Sequence, residues 1–273
     1  MFVISLDLIL GYAGIVSIGH AAYFGLGAYT AGIVSKYGIV EPVILLVLGA
    51  AVAGVVGYAT SFIIARFRHL ALIMITLGIC LLLYETANLA GRLTGGADGL
   101  QGIKIGPLLG TFKFDLYGKT AYAYSLIVLF LCFLVARRVI HSPFGLSLRG
   151  IRENEGRMKS LGFNTWLHCY LIYVISGAFA SVAGVVWAYY NGFVSPTYLE
   201  LAASSELFLM VTLGGPATLI GPVLGAAAIV LLKNVMSAYT ARWLFVLGVV
   251  YIVAIIGAPQ GIWNLGRRRP TDA

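Results

Sequence analysis

The chain has 273 residues, of which 60% are hydrophobic and only 10% are charged. Soluble domains carry roughly 45–50% apolar and about 25% charged residues, so this composition excludes an ordinary water-soluble fold and indicates a protein that is solvated by lipid. The net charge of +8 does not indicate a nucleic-acid partner, because the basic residues lie at the ends of apolar runs, as membrane topology requires.

Long stretches without Asp, Glu, Lys or Arg predict membrane spans, since a helix needs about 20 apolar residues to cross the hydrocarbon layer. The longest of these stretches are Leu8–Ser35, Pro42–Ala65, Thr120–Ala136, Cys169–Tyr190, Leu207–Leu232 and Trp243–Gly266. A shorter one, Leu70–Tyr84, continues through Glu85 to Ala90. We therefore predict an all-α fold, a polytopic transmembrane helical bundle that forms a single domain over residues 1–273.

Basic residues predict the orientation of the spans, because Lys and Arg concentrate in cytoplasmic loops. The basic regions are segment 137–168, the short link Arg66–His69 and the tail Arg267-Arg268-Arg269, and all three are placed inside. In chain order, alternation then gives a partial first helix at 1–13 and spans at 21–36, 41–65, 70–90, 120–136 and 169–190.

The last third of the chain needs a hairpin to keep the C-terminus cytoplasmic. A single span over 207–236 would leave the arginine tail outside. Residues 214–222 contain two prolines and three glycines, which break a helix readily. We therefore predict helices at about 199–214 and 220–236 and a last one at 243–258, for a total of about eight to nine helical segments.

Residues 142–164 predict a short amphipathic helix in the basic segment. The apolar side chains recur at about helical spacing, while the charged side chains point mainly to other directions. The apolar positions are Phe144, Leu148, Ile151, Met158 and Leu161. Such a helix either lies on the lipid interface or docks against a partner, and the spacing alone leaves both open.

Four stretches in order resemble one family over nearly the whole chain. They read LGYAGIVSIGHAAYFGLGAYT at 10–30, LTGGADGL at 93–100, RGIRENE at 149–155 followed by Leu161-Gly162, and MVTLGGPATLIGPVLGA at 210–226. Together they resemble branched-chain amino acid ABC transporter permeases of the LivM type. Asp7 departs from the pattern, because that family commonly has Asn at this position.

The resemblance implies a permease subunit of an ABC importer in the bacterial inner membrane. Such a subunit translocates branched-chain or related amino acids with ATP hydrolysed by partner subunits. The implied partners, besides the lipid bilayer, are a second homologous permease, two cytoplasmic ATPase subunits and a periplasmic substrate-binding protein. Segment 137–168 would be the cytoplasmic coupling segment, and its implied ATPase-coupling residues are Arg149, Arg152, Glu153, Glu155, Leu161 and Gly162.

Polar residues inside apolar segments are candidates for the translocation path, because ionisable groups in lipid usually face a cavity or a partner. These candidates are His20, Glu85, Asn88 and Glu206. Structural alternatives stay open for each: His20 could brace a glycine-rich break, Glu85 could reach the interface, and Glu206 could cap the first turns of its helix.

Catalytic and cofactor motifs are not found in the sequence. It has no His-Glu-x-x-His zinc motif and no Gly-x-Ser-x-Gly nucleophile motif, and its three cysteines lack metal-ligand spacing. We therefore expect no enzymatic activity, no metal and no cofactor. The remaining alternatives are a urea or short-chain amide ABC permease, a stand-alone secondary transporter, which would need inverted repeats, and an intramembrane enzyme.

Overall fold

A computed structural model describes residues 1–64, 66–67, 69–103, 106–107, 119–239, 245, 248–249, 251–252, 256, 261 and 263. Its α-helices are α1 (Phe2–Asp7), α2 (Ala21–Lys36), α3 (Pro42–Ile64), α4 (His69–Leu89), α5 (Gly91–Thr94), α6 (Lys119–Ile140), α7 (Pro143–Glu153), α8 (Glu155–Ser160), α9 (Thr165–Asn191), α10 (Leu201–Gly214) and α11 (Ile220–Tyr239). The first helix continues into a π-helical turn at Leu8–Tyr12.

Within the described residues, five helices are long and apolar enough to cross a membrane. They are α3, α4 over Leu70–Leu89, α6, α9 and α11. The apolar segments Phe2–Tyr12 and α10 are shorter. The prediction of an all-α, multi-pass membrane bundle is confirmed. The predicted span at 243–258 lies largely outside the described residues, and the arginine tail lies wholly outside them.

The helix bounds follow the apolar runs closely, and the predicted break between α10 and α11 is present. One difference concerns residues 142–164, which form two helices rather than one. The separation occurs at Asn154, whose backbone is extended with φ −158° and ψ 97°. An amphipathic repeat does not reveal such a break, because a single extended residue hardly disturbs the spacing of the apolar positions.

Helix α9 is at the centre of the bundle. It packs against α1, α2 and α3, and many of its side chains are buried, including the large Tyr173. The outer helices α3 and α6 expose large apolar side chains instead, such as Val55 and Phe130. Apolar surface of this kind is stable where it faces lipid or another hydrophobic subunit.

The two ends of the bundle differ in structure. At one end, β1 (Leu100–Gln101) pairs antiparallel with β2 (Phe193–Val194). The opposite end holds α7, α8, the end of α3 and the start of α9, where the rings of Phe62 and Trp166 lie 5.7 Å apart. We call it the α7 end, and it also holds the connection between α10 and α11.

Close contact between α2 and α9 depends on a glycine. A Cβ atom at Gly184 would overlap the carbonyl oxygen of Phe24 in α2. Membrane helices approach one another closely at such small residues. Gly184 therefore serves helix packing within this chain.

Gly184→Ala should lower the free energy of unfolding by about 1–3 kcal/mol, because the added methyl group forces α2 and α9 apart. The measurement is thermal unfolding of the detergent-solubilised protein, followed by tryptophan fluorescence. Gly54→Ala is the matched control, since nothing lies within 4 Å of a Cβ atom at Gly54 in α3. Equal melting temperatures for the two variants would contradict the packing role of Gly184.

Candidate functional site

The start of α7 is fixed by its own sequence. The Ser142 hydroxyl accepts a hydrogen bond from the Gly145 N–H, with 3.4 Å between oxygen and nitrogen, and donates one of 2.6 Å to the Val139 carbonyl. Pro143 occupies the first turn, where its fixed φ suits a helix and its missing N–H is not needed. The chain therefore turns sharply out of α6 and begins α7 at once.

Asn154 ends α7 and begins α8. Its N–H donates to the Gly150 carbonyl at 2.9 Å, and its side-chain oxygen accepts from the Arg157 N–H at 2.9 Å. Asparagine is among the best N-cap residues for this reason. Met158 of α8 then folds back against Gly150 of α7. The two short helices form one unit, which we call the α7–α8 pair.

One face of the α7–α8 pair is anchored in the main hydrophobic core. Leu148, Ile151 and Met158 are buried, and Phe144 is half-buried against them. Fully burying an aliphatic side chain contributes about 1.5–3 kcal/mol. The apolar positions predicted from spacing thus hold the pair to the bundle, with the exception of Leu161.

Two arginines of α7 contact the π-helical turn Leu8–Tyr12. The Arg149 guanidinium lies over the Tyr12 ring, 5.2 Å from its centroid. The Arg152 guanidinium donates a hydrogen bond to the Gly11 carbonyl. Both side chains thus contact this chain itself and are also exposed, so the ATPase contacts that the resemblance implies stay a prediction.

Glu155 joins α8 to the start of α9. Its carboxylate lies 3.0 Å from the Lys159 ammonium, one turn along α8, and accepts a hydrogen bond of 3.2 Å from the Thr165 hydroxyl. An exposed pair of this type contributes only about 0.3–0.5 kcal/mol. Its effect is mainly on the orientation of α8.

Glu153, Leu161 and Gly162, the other predicted coupling residues, are exposed, as Arg149 and Arg152 are. Glu153 ends α7 with its side chain exposed, and Leu161 is 65% exposed immediately after α8. Gly162 has a φ of +85°, a left-handed conformation that glycine adopts without strain and that turns the chain toward α9. Leu146 and Phe163 are exposed nearby in sequence. We call Leu146, Glu153, Leu161, Gly162 and Phe163 the outer face.

A cleft of about 230 Å³ lies beneath the α7–α8 pair. Its walls come from residues 13–16, the start of α4, and α7. Arg152 and Glu155 are the charged residues that line it. The pair therefore contributes Ile151, Arg152 and Glu155 to the wall of the cleft, and no residue of the outer face lines it.

Sequence comparison identifies the family of this bundle. Residues 1–255 match the family described as branched-chain amino acid transport system / permease component. The chain belongs to this family. It is therefore a membrane permease, a class of transport protein rather than of enzyme. A comparison with solved structures finds no match.

Individual relatives carry the same kind of name. The high-affinity branched-chain amino acid transport system permease protein LivM of Salmonella typhimurium is 27% identical over 97% of this chain and 67% of its own length. The probable branched-chain amino acid transport permease protein LivM of Methanocaldococcus jannaschii is 26% identical over 91% of this chain and 81% of its length. The high-affinity branched-chain amino acid transport system permease protein LivH of Salmonella typhimurium is 25% identical over 98% of this chain and 91% of its own length.

His20 is fully buried in this permease, in a polar cluster between α1 and α9. Its Nε2 lies 3.1 Å from the hydroxyls of both Ser5 and Ser176. Those hydroxyls donate to the backbone carbonyls of Phe2 and Ser5, so they are left to accept from His20. Nε2 is then the nitrogen that carries the proton, and Nδ1 has no hydrogen-bond partner among the described residues.

The other candidate path residues lie apart from His20. Glu85 is exposed on α4, and Asn88 is half-buried one turn later. Glu206 lies beyond the first turn of α10 and pairs with Lys233 of α11, with 3.0 Å between nitrogen and oxygen. No hydrogen bond or ion pair joins any two of the four candidates within the described part of the chain.

Three residues that make the contacts described above were not predicted from the sequence as site residues. Asn154 carried a usable signal, since Asn followed by an acidic residue is typical of a helix start. Lys233 also carried one, because it interrupts an apolar run. Tyr12 carried none, because a tyrosine in an apolar segment is ordinary and its partner Arg149 is remote in sequence.

His20→Leu should lower the free energy of unfolding by about 1–3 kcal/mol, because it removes the shared donor of two buried hydroxyls. Thermal unfolding in detergent measures the change. The matched control is Glu85→Gln, at an exposed position, whose free energy of unfolding should stay within about 0.5 kcal/mol of that of the parent. A His20→Leu protein that melts like the parent but fails in transport would assign His20 to the path rather than to bracing.

Proposed function

We propose that this permease imports branched-chain amino acids or related solutes and is driven by ATP hydrolysed in separate subunits. The family match over residues 1–255 supports the class of solute, as do the LivM and LivH relatives. His20, Glu85, Asn88 and Glu206 remain our candidates for groups along the path. A periplasmic binding protein would deliver the solute to the end that carries the β1–β2 sheet.

We further propose that the permease works as a pair with a second, homologous permease. Salmonella typhimurium has both a LivM and a LivH relative of this chain, each named as part of a branched-chain amino acid transport system. The exposed apolar surfaces of α3 and α6 provide area for such a contact in addition to lipid. Two ATPase subunits would then serve the two permeases.

The α7 end is the proposed cytoplasmic end. The sequence there is rich in arginine, including Arg137, Arg138 and Arg157, which are exposed. Positive charge favours the cytoplasmic side of a membrane. The C-terminus is proposed to lie on the same side by alternation of the spans.

The observation that carries the proposal is the two-sided character of the α7–α8 pair. Its inner face is buried in the bundle, and its outer face presents apolar and acidic side chains away from it. We propose that an ATPase subunit binds the outer face through Leu161, Gly162 and Glu153. Arg149, Arg152 and Glu155 would couple the pair to the bundle, and Arg149 and Arg152, which are exposed, remain candidates for ATPase contact.

Leu161→Glu should abolish co-purification of the ATPase subunits with the permease, because it places a charge in the centre of an apolar contact. The permease should still fold, since Leu161 is largely exposed. Tyr37→Glu is the matched control, an exposed apolar residue that follows α2 at the other end. ATPase recovery is measured after affinity purification of the permease. Recovery that is equal for Leu161→Glu and the parent would refute the proposed docking surface.

Thiol labelling tests the orientation. Cys80, Cys132 and Cys169 are first replaced by Ser, and a single cysteine is introduced as Leu146→Cys or Tyr37→Cys, both at exposed positions. A membrane-impermeant maleimide should label Leu146→Cys only in inside-out vesicles and Tyr37→Cys only in right-side-out vesicles. The reverse pattern would place the α7–α8 pair outside and exclude an ATPase partner there.

A further inference from the structure

A buried carboxylate connects α1 to the loop between α10 and α11. Asp7 has no exposed surface, and its two oxygens accept hydrogen bonds from the N–H groups of Ala217 and Leu219, at 2.7 and 3.2 Å. These residues are separated from Asp7 by more than two hundred positions in sequence. Each oxygen of the carboxylate thus holds one backbone N–H of the same loop.

The loop held by Asp7 has an unusual backbone. Ala217 and Leu219 have φ values of +67° and +56°, in the left-handed region that residues with a side chain seldom adopt. Such conformations persist where surrounding contacts hold them, and they recur in switch regions. Between them, Thr218 caps α11 by accepting from the Gly221 N–H at 3.1 Å. The loop therefore fixes the relation of α10 to α11.

Gly11 is where this contact meets α7. A Cβ atom at Gly11 would overlap both a carboxylate oxygen of Asp7 and the Ala217 nitrogen, so the loop can approach only a glycine here. The carbonyl of the same Gly11 accepts the hydrogen bond from Arg152 of α7. Gly11 lies in the π-helical turn, a type of helix irregularity that is frequent at functional sites.

We propose that Arg152 and Asp7 are positioning residues that connect the α7–α8 pair mechanically to the α10–α11 hairpin. In this relay a displacement of α7 moves the π-helical turn through Arg152, and the turn moves the α10–α11 loop through Asp7. The inference rests on the proposed function, because it requires that an ATPase displaces the α7–α8 pair. The hairpin is then the part of the bundle that responds to ATP.

The chemistry of Asp7 suits such a relay. A carboxylate has two acceptor oxygens, each of which holds one N–H group here, whereas the side chain of Asn has one acceptor oxygen. Hydrogen bonds to a charged acceptor are also stronger than neutral ones. Asp7→Asn should therefore weaken the relay in part, and Asp7→Leu should remove it.

The test uses the complete complex with its partner subunits in proteoliposomes. ATP hydrolysis and uptake of radiolabelled leucine are measured for the parent, Asp7→Asn, Asp7→Leu and Arg152→Met. We expect Asp7→Leu and Arg152→Met to transport about tenfold less leucine per ATP hydrolysed, with ATP hydrolysis itself retained. Arg152→Lys, which keeps a donor, should recover part of the loss. Arg92→Met, at an exposed position in α5, is the control for an arginine outside the relay.

A second readout does not depend on the solute. A single cysteine introduced as Ile220→Cys, at an exposed position at the start of α11, is reacted with maleimide in the nucleotide-free and vanadate-trapped complex. Its reactivity should change with nucleotide in the parent and stay constant in Arg152→Met. A nucleotide response in Arg152→Met equal to that of the parent would overturn the relay.

The double variant Asp7→Leu/Arg152→Met separates a relay from two independent supports. Two residues in one connection should lose no more transport per ATP together than the more severe single variant, while independent effects multiply. If the losses of transport per ATP multiply in the double variant, or if ATP hydrolysis falls together with transport, the two residues only stabilise the structure and the relay is refuted. Loss of ATPase association in the parent chain would instead remove the proposed function, so the two failures are distinguishable.

Discussion

The structure depends on one constraint, that buried backbone groups released where a helix is broken must find partners within the protein. This chain breaks its helices between α1 and α2 and again between α10 and α11. Each break releases N–H and C=O groups at buried positions such as Gly11 and Leu219, where water is excluded. Asp7 binds two of the N–H groups in the second break, and Arg152 binds a carbonyl in the first. The breaks are therefore possible because they lie against each other and against α7.

The same constraint applies where α2 begins. The first N–H of that helix, at Ala21, donates to the Ser204 hydroxyl of α10 at 3.0 Å. Nearby, His20 binds the hydroxyls of Ser5 and Ser176. Polar side chains in the interior of this bundle thus act mainly on the irregular backbone and on one another. An ionisable or hydroxyl residue in an apolar segment is a weak indicator of a solute path until such structural partners have been identified.

Much of the fold could be predicted from the sequence, because charge-free runs, basic links and helix-breaking residues act locally. The run 214–222 predicted the α10–α11 hairpin through its prolines and glycines together with the arginine tail. Less of the candidate site could be predicted from the sequence. Periodicity predicted that Leu148 and Ile151 share an apolar face, but it did not show that this face packs on the bundle or that Arg149 and Arg152 contact the π-helical turn. Their partners, Tyr12 and Gly11, lie more than a hundred residues away, and no local pattern encodes such a pairing.

The contacts of these arginines with the π-helical turn bear on how the α7–α8 pair would meet the proposed partner. If arginines carried the contact, the contact would be mainly electrostatic and screened by salt. Arg149 and Arg152 bind the π-helical turn although both are exposed, and the outer face adds the apolar side chains of Leu146, Leu161 and Phe163. Apolar contacts are non-directional and depend on close fit, so in the proposed coupling they would transmit a displacement by steric contact while the arginines would transmit it onward through directed bonds. The same short helices would then perform two mechanical tasks, each with the type of interaction suited to it.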